Sequence, residues 1–109
     1  MDCVVAIDLG TSSVRASSYD VSANVIPNCS VVVPISINYT TDGGAYGDPI
    51  EIAKNVETCV DQLINLCQLQ DLRILAVGID VFAGTYVGLN TNDEPVTDLF
   101  TYAETRSFE

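Results

Sequence analysis

The chain has 109 residues, 48% of them hydrophobic, and a formal charge of −11 from 15 acidic and four basic side chains. The length suits one small domain, and the composition suits a globular domain rather than a disordered tract. So acidic a surface repels polyanions, which excludes broad nucleic-acid binding and docking on anionic membranes.

Arg15, Lys54, Arg73 and Arg106 are the only cations. A small phosphate ligand would therefore need local backbone donors, one or two placed cations and a metal ion. No apolar run approaches the roughly 20 residues of a membrane span. The residues after Met1 lack the basic start of a secretory signal. Cys3, Cys29, Cys59 and Cys67 form no CxxC pair, and there is no histidine, so a zinc site would need four scattered thiolates. Each thiol sits in an apolar context and reads as a small hydrophobe. A reducing cytoplasm is the expected compartment.

In chain order, residues 3–7 (CVVAI) form a short β-branched run bounded by Asp8 and Gly10, a buried strand. Residues 13–19 alternate and should pair back on it as a hairpin, with DLGTS as the turn and Gly10 supplying positive φ. After the turn VSANVIPN, residues 29–39 (CSVVVPISINY) read as a third strand. Pro34 lies inside it, so this strand is an edge or contains a bulge.

The loop TTDGGAYGDP leads into a helix from Pro49 to about Gln68. Asp48 is a good N-cap, Pro49 fits the first helical position, and Glu51 holds the capping-box position. Ile52, Val56, Cys59, Val60, Leu63, Ile64 and Cys67 follow the i, i+3, i+4 rule of a buried stripe. Cys59 and Cys67, on this one helix, would lie about 12 Å apart, too far for a disulfide. Residues 73–81 (RILAVGIDV) read as a buried strand, residues 85–90 (TYVGLN) as another, and residues 96–102 (VTDLFTY) as a weaker extended segment. The order β-β-β-α-β-β predicts an α/β fold with a ribonuclease-H-like mixed sheet.

The hairpin tip carries the most specific chemistry. Gly10, Thr11, Ser12 and Ser13 present backbone N–H groups and hydroxyls toward a common point, an anion-binding concavity. Arg15 adds a fork of donors suited to phosphate oxygens. Asp8 cannot meet phosphate directly without repulsion, but it can hold Mg²⁺ or its waters. The bland reading is a polar hairpin tip with a surface arginine.

Two segments favour the first reading. AIDLGTSSVRASSYD resembles the phosphate-1 motif of the sugar-kinase and actin superfamily, D-x-G-T-x-x-x-R. ILAVGIDVFAGTYVGLNTNDEPVTDLFTYAETRS is similar to the N-terminal part of FGGY carbohydrate kinases, ending in an aromatic–x–acid–x–Arg signature at Tyr102, Glu104 and Arg106. GGAYGDPIEI looks like that family's loop before its first helix.

The resemblance covers the whole chain but only about the first fifth of a typical family member. It implies an actin-like ATPase fold, with residues 1–109 the N-terminal portion of the first kinase domain. It also implies ATP with Mg²⁺ as cofactors and a sugar or polyol as substrate. Gly10, Thr11, Ser12, Ser13 and Arg15 then hold nucleotide phosphates and Asp8 the metal. Asp80, Phe82, Glu104 and Arg106 are possible sugar-site residues.

The family's catalytic base lies beyond this stretch, so no residue here is expected to be catalytic and the piece alone should be inactive. Where the family places sugar-facing polar or aromatic residues, this chain has Phe82-Ala83-Gly84. Ala83 and Gly84 offer no side-chain hydrogen bond. That departure keeps open a non-catalytic binding or assembly module of the same fold. An incomplete sheet would leave apolar surface uncovered, which predicts a homo-oligomer.

Overall fold

A computed structural model describes residues 1–106. β1 (Asp2–Leu9) and β2 (Ser13–Asp20) form the expected hairpin, in antiparallel register from Cys3↔Asp20 to Leu9↔Val14. Alternation sorts their side chains. Cys3, Val5, Ile7, Val14, Ala16 and Ser18 are buried on one face, and Asp8 and Arg15 lie on the other. The Asp20 carboxylate organises the turn into β3 (Val25–Pro34) by accepting the backbone N–H groups of Ser22 and Asn24.

The third strand thus starts four residues earlier than the sequence suggests and ends at Pro34 rather than running to Tyr39. It is an edge strand, and Pro34 closes it, as the missing donor requires. β3 also carries a bulge. Its pairing with β2 shifts between Ser17 and Tyr19, and Asn28, at φ 59°, sits in the extra loop of chain. Residues 38 and 39 form a separate short strand, β4 (Asn38–Tyr39), which pairs with β5 (Ala45–Gly47).

α1 (Pro49–Leu69) begins where the sequence predicts. The Asp48 side chain accepts the N–H groups of Ile50 at 2.9 Å and Glu51 at 3.4 Å. It buries Ile52, Cys59, Leu63 and Cys67, and full burial of Leu63 stabilises the domain by about 2 kcal/mol. The helix ends without a glycine. Asp71 takes the left-handed conformation, φ 52°, and the Leu72 N–H returns to the Cys67 carbonyl at 2.9 Å.

β6 (Arg73–Val81) then runs parallel to β1, giving a sheet of order β3-β2-β1-β6 with α1 on one face. The bounds of β6 match the expectation but its burial does not. α1 packs mainly over β3 and β2, so β6 is an uncovered edge strand. Val77, Ile79 and Val81 remain 58%, 66% and 57% exposed.

Residues 85–90 do not form the predicted strand. They make isolated bridges instead, Tyr86↔Phe100 and Leu89↔Pro95. The extended segment near residue 100 narrows to β7 (Leu99–Phe100), which joins β5. Among the described residues there are therefore two sheets, β3-β2-β1-β6 and β4-β5-β7, rather than one continuous array. Among the described residues no helix is long and apolar enough to cross a membrane.

Candidate functional site

The hairpin tip is held from within and from outside. The Gly10 N–H donates to the Ser13 carbonyl at 2.9 Å, and the Ile35 N–H donates to the Ser12 carbonyl at 3.1 Å. Two expectations change here. Gly10 does not adopt positive φ, because the left-handed glycines among the described residues are Gly43 and Gly84. Its N–H closes the turn and so is not a donor for an anion. Besides the Thr11 and Ser12 N–H groups, which make no backbone hydrogen bond among the described residues, the tip offers side chains: half-buried Thr11 and Ser13 and exposed Ser12, with no hydroxyl of the three bonded to another protein group among the described residues.

Antiparallel register places Arg15 directly across from Asp8, and one guanidinium nitrogen donates to the Asp8 carboxylate at 2.7 Å. Both side chains are largely open, at 57% and 45% exposure. Parallel register places Asp80 beside Asp8 on the other side. Arg15, Asp8 and Asp80 thus form one row across β2, β1 and β6, on the sheet face turned away from α1. The pairing that aligns the strands aligns the charges.

The second constellation lies at the other sheet. Glu104 is buried, and its carboxylate accepts from the Ala45 N–H at 2.7 Å and from Arg106 through Nε at 2.7 Å, through the terminal nitrogen at 3.2 Å and through the backbone N–H at 3.2 Å. The Arg106 guanidinium, with the Ala45 N–H second, holds the carboxyl down at about 2. Arg106 also lies over the Tyr46 ring, 5.1 Å from its centroid.

The glycine pair before β5 makes this closeness possible. A Cβ on Gly44 would meet the Arg106 guanidinium carbon at 2.9 Å, and one on Gly43, at φ 96°, would strike Thr105. The segment GGAY therefore clasps the segment TYAETR. Tyr86 and Phe100, with ring centroids 5.4 Å apart, join Glu104 and Arg106 around an open hollow.

The four possible sugar-site residues are not brought together. Asp80 joins the Asp8–Arg15 row. Phe82 is half-buried against the hydrophobic core, its N–H bonded to the Leu9 carbonyl, and its other side lines a hollow with Leu9, Val81, Thr85 and Leu99. Glu104 and Arg106 share the hollow, but Glu104 spends its carboxylate on protein donors and acts as the post that fixes Arg106. Tyr86 and Phe100 were missed as lining residues. Their signal was a pair of aromatics on short apolar runs flanking the NDEP turn.

A meandering hairpin, a crossover helix and a parallel fourth strand give the opening of a mixed sheet of the actin-like ATPase fold. Residues 3–109 match the N-terminal domain of the FGGY family of carbohydrate kinases, and the chain belongs to that family. It is 28% identical over 107 residues to glycerol kinase 5 of Danio rerio, covering 97% of this chain and 20% of that protein.

Among solved structures, a glycerol kinase of Plasmodium falciparum with ADP superposes with a TM-score of 0.84 at 24% identity, over 97% of this chain and 21% of its own. A xylulose kinase of Rhodospirillum rubrum gives 0.85 at 18% identity, over 95% and 21%. The chain spans about a fifth of the length of the relatives it matches.

Proposed function

We propose that this chain supplies one wall of the nucleotide site of an ATP-dependent carbohydrate kinase, which transfers the γ-phosphoryl group of ATP to a sugar or polyol hydroxyl. The observation that carries this reading is the row Arg15–Asp8–Asp80 beside the hydroxyls of Thr11, Ser12 and Ser13. Arg15 commits one nitrogen to Asp8, and the rest of its fork can orient phosphate oxygens. The three hydroxyls donate to the same oxygens.

Asp8 and its neighbour Asp80 offer hard carboxylate oxygens in adjacent register, the donor type Mg²⁺ takes. A bound Mg²⁺ would neutralise phosphate charge there. Holding and orienting the phosphates is what these residues contribute. Phosphoryl transfer draws most of its rate from such positioning, and a lone wall gives almost none, so we propose that these 109 residues alone are inactive.

The test is isothermal titration of Mg·ATP and of Mg²⁺ with inorganic phosphate, at millimolar ligand, into the wild-type chain and Arg15→Ala. Weak binding lost in the variant supports the assignment, and equal binding in both sinks it.

A second reading, a non-catalytic binding or assembly module, is favoured by one observation. Gly84 sits at φ 66° against Tyr102, where an added Cβ would meet the tyrosine Cβ at 3.2 Å. The backbone is thus shaped to glycine at a position where the family resemblance implies a sugar-facing side chain. Sugar-stimulated ATP turnover by the protein encoded by the complete reading frame separates the two.

A further inference from the structure

The hydrophobic core contains a polar knot that the phosphate site does not use. Ser18 of β2, Cys29 of β3 and Cys67 in the last turn of α1 are all fully buried. Ser18 Oγ lies 3.2 Å from Cys67 Sγ, the Cys29 thiol donates to Ser18 Oγ at 3.3 Å, and the two sulfurs are 3.5 Å apart. Sulfurs at that separation are in van der Waals contact, about 1.5 Å short of a disulfide bond.

Cys29 is also the thiol placed on the most irregular edge of the main sheet. It follows left-handed Asn28 in the bulge opposite Ser18, on an edge strand, where the ladder is interrupted. The end of α1 is pinned to the same bulge by the Gln70 side chain, which donates to the carbonyls of Pro27 at 3.2 Å and Asn28 at 3.1 Å. Local opening of such an irregular edge costs less than global unfolding. Cys3, buried nearby, belongs to β1, which has a partner strand on each side although its register with β6 also shifts between Cys3 and Val4. Cys59 lies two turns away along the helix and points its thiol at the Val14 and Val31 carbonyls.

We propose that Cys29 and Cys67 are a redox-responsive pair that closes an intramolecular disulfide on exposure to a small-molecule disulfide such as oxidised glutathione, stapling the end of α1 to β3. The Cys29 thiol gives its proton to solvent, and the thiolate attacks one sulfur of the oxidant, releasing one small thiolate. Cys67, deprotonated in turn, displaces the second small thiolate from the mixed disulfide. Two S–H bonds and the oxidant's S–S bond break, and one protein S–S bond forms. The electron pair and both protons leave with the oxidant as two small thiols. Burial pushes the Cys29 thiol up, so the closed state reacts slowly and the exchange passes through the opened bulge. The bond closes a loop of about 40 residues, which restricts the unfolded chain.

The experiment incubates the wild-type chain with oxidised glutathione, counts thiols after denaturation and maps linked peptides without reduction. The expected result is two of the four thiols lost, a Cys29–Cys67 cross-link, and a raised thermal midpoint that dithiothreitol reverses. Four surviving thiols, a lasting glutathione adduct, a Cys3–Cys67 link or an intermolecular disulfide would each overturn the proposal. Cys29→Ala should abolish the midpoint shift and Cys59→Ala should keep it. The wild-type peptide map decides the matter even where a variant fails to fold.

Discussion

Two arginine–carboxylate pairs in this molecule have the same contact distance and opposite characters. Arg15–Asp8 and Arg106–Glu104 each close at 2.7 Å, but the first pair is 57% and 45% exposed and the second 37% and 5%. Water competes for both members of the first pair, so their attraction is weak and both remain available to a ligand. Glu104 has exchanged water for four protein hydrogen bonds. Removing Glu104 strands the buried Ala45 N–H, and removing Arg106 strands a carboxylate that water scarcely reaches. The difference teaches that pairing distance does not separate a binding residue from a building one. Exposure and the number of remaining donors do.

Four experiments can break or sharpen that contrast. Glu104→Ala should have the largest effect, lowering the thermal midpoint by several degrees, because the Ala45 N–H and the Arg106 guanidinium lose their acceptor together. A midpoint unchanged in a thermal melt would make the clasp ornamental. Arg15→Ala should instead leave stability within about 0.5 kcal/mol of wild type by urea unfolding. Its effect should fall on ligand, with affinity for Mg·ATP reduced at least about tenfold, or about 1.4 kcal/mol.

The third experiment is acid titration. The Glu104 carboxyl is held at about 2 against an ordinary value of 4.5. Its folded-state value is depressed, so its stabilisation is complete above about pH 4.5 and is lost as pH falls toward 2. Stability followed by circular dichroism through that window should decline less steeply in Glu104→Gln than in wild type. The smallest effect is ionic. At 0.5 M salt the Arg15–Asp8 pair should contribute nothing measurable to stability, whereas the Glu104 variants should keep their order.

Much of the frame was legible because local signals agreed. Asp48-Pro49 announced the start of α1 through its cap, and the apolar spacing through Leu63 announced its buried stripe. The run from Arg73 to Val81 gave β6 its bounds. The FGGY resemblance was legible in two motifs, and the match over residues 3–109 bears it out.

What failed depended on partners distant in the chain. Residues 85–90 have strand composition, but no neighbouring strand in the main sheet lies alongside them. The burial of β6 depended on how far α1 reaches across the sheet, which no window of sequence contains. The Glu104–Ala45 bond was not legible because its two ends lie 59 positions apart.

β6 also has a colloidal consequence. Its outer edge offers unpaired backbone groups beside Val77, Ile79 and Val81, a template on which a second copy could add its own strand. The surface charge of −11 opposes such an encounter at long range. Among the described residues, repulsion rather than a blocked edge is what opposes such pairing in the isolated chain, and salt screens it. Light scattering at low protein concentration should rise as ionic strength increases, and Ile79→Lys, which sets a charge in the strip, should suppress the rise.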